Sequence, residues 1–323
     1  MSKRLHSFWQ NMTPWHGLLY PFMWCFQGIT ALRKRWQVFF NRQAFDVPII
    51  VVGNLTTGGV GKTPLVIALI EACQARGIRV GVVSRGYKAA CQDFPHEVRG
   101  TDTAQMVGDE PFLIAKKTGV PVIIAPDRVA AVEYLLKHHA PQLIISDDGL
   151  QHYRMPRAIE IVVLDGVRLL GNQRLLPVGP LREPVARLKS VDFTIVNSGF
   201  WPNAYSMTLQ PGAPMSLKNN QCVVLSEIPS PIAAIAGIGH PERFFQTLTS
   251  LSLSFEPHVF PDHHAFSSKD FKKITKPILM TEKDAVKCQP FATDMMYFLP
   301  VKALVEESFW DALWAHPALK NLF

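Results

Sequence analysis

The sequence predicts an α/β protein: a mostly parallel sheet with helices on both faces, followed by a smaller α/β unit. Three observations predict it. Short β-branched runs alternate with helical stretches from residue 47 onward, a glycine-rich turn follows the first run, and a stretch rich in Pro, Gly, Ser and Asn at 197–220 interrupts the alternation.

Residues 47–53 (VPIIVVG) make the first buried-strand run, and residues 62–76 a helix after it. Further strands are expected at 79–83, 120–125, 143–146 and 159–164. The intervening stretch 127–138 places Val129, Val132, Leu135 and Leu136 at helical spacing. Near-continuous apolar strands of this kind are buried on both faces, as parallel sheets require. Beyond the junction, strands are expected at 233–237, near Val259 and at 277–281, with a helix from Pro241. The tail, 306–323, reads as an amphipathic helix carrying Phe309, Trp310, Leu313 and Trp314. The expected division is an N-terminal interfacial helix at 1–37, a core at 38–215 and a smaller α/β domain at 216–323.

A chain of 323 residues suits one large unit plus a smaller partner. Its 48% hydrophobic and 18% charged residues argue against disorder. The net charge of +7 suits an anionic partner: nucleic acid, phospholipid or a phosphorylated substrate. No basic cluster interleaved with aromatics occurs outside the N-terminal helix, so no nucleic-acid partner is expected. Cys25, Cys73, Cys91, Cys222 and Cys288 are scattered and never form a C-x-x-C pair. That argues against a disulfide framework or a zinc site and favours a reducing cytosol.

Residues 16–32 (HGLLYPFMWCFQGITAL) form an apolar run that falls slightly short of the roughly 20 residues a spanning helix needs. Arg33, Lys34 and Arg35 follow directly, and no small-residue cleavage site does, so a secretory signal fits poorly. Trp9, Trp15, Tyr20, Trp24 and Trp36 are residue types found at a headgroup boundary. The run reads either as a helix packed on the protein's own core or, preferably, as a peripheral anchor in an anionic membrane surface.

The strongest local signal is TTGGVGKT, comprising Thr56, Thr57, Gly58, Gly59, Val60, Gly61, Lys62 and Thr63, between a strand and a helix. Backbone N–H groups of such a P-loop hold the phosphates of ATP. Lys62 would reach the β- and γ-phosphates, and the Thr63 hydroxyl would bind Mg²⁺. The fold class is therefore P-loop NTPase-like. The strand at 143–146 ends in Asp147 and Asp148, which places carboxylates beside the P-loop where a metal is held. His152 follows at the end of DDGLQH. Asp109 and Glu110 open another helix, where a capping role and a catalytic one are equally compatible with the spacing. Asp262, His263 and His264 read as a loop more readily than as a metal site, since no third ligand has suitable spacing.

Taken together, these motifs identify the chain as similar to the tetraacyldisaccharide 4'-kinase family along almost its whole length. The matching stretches are GNLTTGGVGKTP, SRGY, VGDEP, DDGLQH, LLPVGPLREP, AIAGIGHPERFF, FPDHH and MTEKDAVK. Thr56, where most P-loops open with glycine, is itself a trait of that family. The resemblance implies ATP-dependent, Mg²⁺-assisted phosphorylation of the 4'-hydroxyl of a tetraacylated glucosamine disaccharide 1-phosphate, giving lipid IVA in lipid A biosynthesis. It implies Asp109 as general base with His263 as its partner, Lys62 and Asp148 in catalysis, and Asp147 and Asp148 as metal-associated acids. His152, Arg182 and Glu183 match further active-site positions. It also implies an N-terminal membrane-associated helix and a place on the cytoplasmic face of the bacterial inner membrane, with no obligate protein partner. A soluble small-molecule P-loop kinase or ligase, which has no use for an aromatic N-terminal anchor, is one rival reading, and a membrane-recruited ATPase switch is the main one. Such switches carry a lysine where this chain has Thr57.

Overall fold

The computed structural model describes Trp9, residues 16–40 and residues 44–322. Trp15, the rest of the expected 1–37 unit before residue 16 apart from Trp9, and Phe323 at the end of the expected tail helix lie outside the described residues. In chain order the strands are β1 (Ile49–Gly53), β2 (Val80–Ser84), β3 (His96–Glu97), β4 (Val122–Ile124), β5 (Leu143–Asp147), β6 (Ile159–Asp165) and β7 (Phe193–Asn197). They continue as β8 (Tyr205–Pro211), β9 (Met215–Ser216), β10 (Ile232–Ala236), β11 (Phe255–Val259), β12 (Ile278–Thr281), β13 (Met296–Leu299) and β14 (Val301–Val305). The helices are α1 (His16–Phe40), α2 (Lys62–Gln74), α3 (Ala104–Val107), α4 (Asp109–Thr118), α5 (Arg128–His139), α6 (Pro241–Ser250), α7 (Ser268–Phe271), α8 (Glu282–Cys288) and α9 (Glu307–Trp314).

Among the described residues, nine strands form one sheet in the order β14-β8-β7-β6-β1-β5-β2-β4-β3. Its interior pairs are parallel, and only the edge strands β14 and β3 pair antiparallel. β1, β2, β5 and β6 are buried at every position, because helices cover both faces. One face packs on α2 and α9 through Leu65, Ile70, Phe309 and Leu313; the other packs on α5 and α1 through Val132, Leu135 and Met23. β1 lies between β5 and β6, with Val52 level with Asp147. The P-loop leaving β1 and the acid ending β5 therefore emerge side by side at the carboxyl edge, the crevice where open α/β sheets bind ligands.

The second sheet has the order β11-β10-β12-β13-β9. Its interior strand β10 is buried on both faces: Ala233 and Ile235 join one core, Ala234 and Ala236 the other. The chain enters this sheet between β8 and β9 and leaves it through Pro300, which separates β13 from β14. These two short connections touch where Gly212 N donates to Pro300 O at 2.9 Å.

That exit changes the expected division. Residues 301–322 fall within the expected smaller domain, yet β14 pairs with β8 of the large sheet, and Phe309, Leu313 and Leu319 are buried in its core. The junction expected at 197–220 also contains β8, where Tyr205, Met207 and Leu209 alternate with Ser206, Thr208 and Gln210. Period-2 alternation near a sheet edge is a weaker signal than the continuous apolar runs of the interior.

The helix expected from the 16–32 run continues to Phe40, so Arg33, Lys34 and Arg35 are helical. Its two faces differ. Met23 and Gln37 are buried, whereas Leu18, Phe22, Ile29, Leu32, Trp36 and Phe39 are 59–74% exposed. Those six recur at spacings of three, four or seven, which places them on one stripe. No helix among the described residues is long and apolar enough to cross a membrane.

Candidate active site

A cleft of about 1640 Å³ runs from the P-loop, between the two sheets, to α1. The P-loop forms its floor. Gly58 and Gly61 adopt φ of 99° and 95°, a region that a side chain disfavours. At Gly61 a Cβ would also meet Asn197 Nδ2 at 2.5 Å, the same amide that donates to Val60 O at 3.0 Å. Asn54 Nδ2 donates to Thr56 O at 2.6 Å. The loop's entry is stitched to the LLPVGPLREP segment by Thr57 N to Pro180 O (2.9 Å) and Arg182 N to Leu55 O (2.7 Å). The Thr57 hydroxyl is buried without a hydrogen-bond partner.

Lys62 Nζ donates to Asn54 Oδ1 at 3.0 Å and lies 3.3 Å from Asp148 Oδ1. Asp148 takes a φ of 50°, an uncommon backbone state that turns its carboxylate toward Lys62 and Arg182, whose Nη1 is 3.5 Å away. The two neighbouring acids are driven apart electrostatically. Burial, then the charge of Asp148, pushes the Asp147 carboxyl up to about 7. Burial also raises Asp148, but Lys62 and Arg182 outweigh it and hold that carboxyl at about 2. Asp147 accepts from Ser84 Oγ through Oδ2 at 3.4 Å, and its Oδ1 is buried without a partner. Excess negative charge with an unused buried oxygen is what a hard cation relieves, and Thr63 lines the same cleft.

Across the cleft, α4 begins at Asp109 after Gly108, whose φ is 95°. Asp109 Oδ2 meets His263 Nδ1 at 2.9 Å, and His263 is itself held at φ 59° in the loop after β11. The Tyr87 ring stands edge-on to His263 at 5.3 Å between centroids. Two residues chosen by resemblance, 154 positions apart, thus come together from different sheets. Gly239, after β10, sits so close that a Cβ there would be 3.0 Å from Gly59 N of the P-loop.

The remaining candidates divide. Arg182 and Glu183 line the cleft. Glu183 is committed there: it accepts from Gln151 Nε2 at 2.9 Å and from the Tyr153 hydroxyl, and lies 3.3 Å from Arg187 Nε. His152 does not line the cleft; its Nε2 lies 3.5 Å from Asp127 Oδ1. Burial, then the charge of Arg128, lowers its pKa to about 4, so the ring is neutral at pH 7. His264 turns away to Asp270, 3.4 Å distant.

Several site residues escaped the motif reading. Asn54 and Asn197 buttress the P-loop, and Lys283 reaches the Asp109–His263 pair. Arg243 of α6 binds Asp165 Oδ1 at 3.1 Å, joining the second sheet to the end of β6. Lys283 and Arg243 fall inside matched stretches, so only their placement was missing. Nothing in the spacing marks Asn197. The α1 end of the cleft is also specific: Tyr153 N donates to Gln37 Oε1 at 3.2 Å, and Lys34 Nζ sits 4.5 Å from the centre of the Tyr153 ring.

The family model "Tetraacyldisaccharide-1-P 4'-kinase" matches residues 15–317. A tetraacyldisaccharide 4'-kinase of Legionella pneumophila (strain Lens) is 50% identical over 323 residues, covering 98% of this chain and all of the relative. One of Alcanivorax borkumensis is 46% identical over 317 residues, covering 97% of each chain. Among solved structures, LpxK from Aquifex aeolicus in complex with ATP superposes with a TM-score of 0.76 at 25% identity, covering 94% of this chain and 99% of that one.

Proposed function

The chain belongs to the tetraacyldisaccharide-1-P 4'-kinase family, and on that footing we propose how its cleft transfers the γ-phosphate of ATP to the 4'-hydroxyl of a tetraacylated glucosamine disaccharide 1-phosphate. The product of that transfer is lipid IVA. The observation that carries the reading is one cleft lined by the Lys62–Asp148 pair on the phosphate side and opposite by His263, which meets the buried Asp109 through Nδ1.

Phosphoryl transfer demands positioning and charge neutralisation more than covalent chemistry. The P-loop N–H groups and Lys62 would cradle the β- and γ-phosphates. Thr63, Asp147 and Asp148 would hold Mg²⁺, which when bound offsets charge on the phosphate oxygens. Asp109 would take the proton of the sugar hydroxyl, with His263 orienting its carboxylate. Arg182 would steady Asp148 beside the phosphates.

The substrate's acyl chains remain in a bilayer, so the enzyme must work at its surface. The exposed apolar stripe of α1, with Arg33 and Arg35 near it, supports peripheral attachment to the anionic cytoplasmic face of the inner membrane. The cleft opens toward α1, which would bring a lipid-held sugar to the P-loop. Transfer of labelled phosphate from ATP to the disaccharide 1-phosphate lipid in mixed micelles tests the proposal. ATP hydrolysis that ignores the lipid acceptor would refute it.

A further inference from the structure

His263 faces three carboxylates. Asp109 Oδ2 is 2.9 Å from its Nδ1, while Asp262 Oδ1 and Glu110 Oε1 lie 3.7 and 3.9 Å from its Nε2. With acceptors on both sides, the ring could place its proton on either nitrogen, since a neutral imidazole has one donor and one acceptor. A ring protonated on Nε2 would turn its Nδ1 lone pair to the Asp109 carboxylate and could not hold it by a hydrogen bond.

One side chain prevents this. Lys283, the second residue of α8, reaches into the cluster from the second sheet. Its Nζ lies 2.5 Å from Glu110 Oε1, 3.6 Å from Asp262 Oδ1 and 3.5 Å from His263 Nε2. An ammonium has donors and no acceptor, so the ring nitrogen facing it presents a lone pair. The ring's proton then sits on Nδ1, where it can be donated to Asp109. One turn further along α8, Lys287 Nζ stands 3.9 Å from Asp109 Oδ2 and 2.7 Å from Asp284 Oδ1. Tyr87 closes the remaining side through its ring edge.

We propose that Lys283 is a positioning residue: it engages Glu110 and Asp262 and faces the Nε2 lone pair of His263, so that the ring's proton sits on Nδ1, directed at Asp109. The proposal builds on the reading of Asp109 as the base. It also gives the MTEKDAVK stretch a task, since the helix that starts at Glu282 presents Lys283 and Lys287, four residues apart, to the same pair.

The test is nitrogen NMR of the full chain labelled with ¹⁵N-histidine, using His263→Gln to assign the ring. At pH 7 the wild-type ring is expected to carry its proton on Nδ1 alone. In Lys283→Met the tautomer protonated on Nε2 is expected to appear at pH 7, and kcat to fall roughly tenfold. KM for ATP should stay within about twofold, because the nucleotide side of the cleft is untouched. Lys283→Arg, which keeps a donor-only cation, should keep the wild-type ring state. A wild-type ring protonated on Nε2, or one unchanged in Lys283→Met, overturns the proposal. Should Lys283→Met fail to fold, the wild-type spectrum still decides. The base reading fails separately, through an Asp109→Asn enzyme that retains full activity.

Discussion

His263 Nδ1 lies 2.9 Å from Asp109 Oδ2, and this contact joins the loop after β11 of the second sheet to the first residue of α4 beside the large one. If the two act as a unit, Asp109→Asn and His263→Ala should each lower kcat by about a hundredfold while ATP affinity changes little. The double variant should then be scarcely worse than the more damaging single one. Losses that multiply in full would return Asp109 to the role of a helix N-terminal acid.

Lys62 and Asp148 form the corresponding pair on the nucleotide side, 3.3 Å apart. Lys62→Ala and Asp148→Ala are each expected to reduce kcat about a hundredfold or more, since both act on charge at the transferring phosphate. Asp148→Ala also frees Lys62 and Arg182 from their partner, so its effect on ATP binding should differ from that of Lys62→Ala. Steady-state kinetics with nucleotide titrations measures both. Near wild-type turnover by Lys62→Ala would remove the P-loop from the mechanism.

His152 makes a prediction about stability rather than turnover. Its folded pKa of about 4 lies below the ordinary 6.5, so between those values the unfolded chain binds a proton that the folded one refuses. Stability therefore falls as pH drops through this window, by ~2 kcal/mol at pH 5. His152→Gln should flatten the decline in Tm between pH 7 and pH 5 by a few degrees. Parallel melting curves for the two proteins would contradict the burial of a neutral ring.

The exposed stripe of α1 predicts lipid binding that can be weakened without unfolding. Replacing Phe22, Leu32 and Phe39 by serine removes apolar surface that is already in solvent, so Tm should hold. Flotation with anionic vesicles should drop roughly tenfold or more, given about 1.5–3 kcal/mol for burying each such side chain. Salt should weaken the remaining attraction through Arg33 and Arg35. Undiminished flotation of the triple variant would place the membrane contact elsewhere.

Much of this protein was legible in the sequence because its signals are local. The interior strands β1, β2, β5 and β6 are continuous apolar runs, since a strand buried on both faces has no polar positions to break the pattern. The P-loop and the Asp147–Asp148 strand end announce themselves by residue type at short spacing, and the VGDEP and FPDHH stretches marked Asp109 and His263 by resemblance. Tertiary structure decided what pairs with what. β8 and β14 find each other across 89 intervening residues or more, as in the pairing of Pro211 with Val301, and β14 thereby returns the C-terminus to the large sheet. Lys283 acquires its role only because the second sheet carries α8 against α4. His152, though beside the metal-associated acids in sequence, is turned toward Asp127 by the path of the chain. Charge interactions depend on separation in space, which the chain's linear order does not encode.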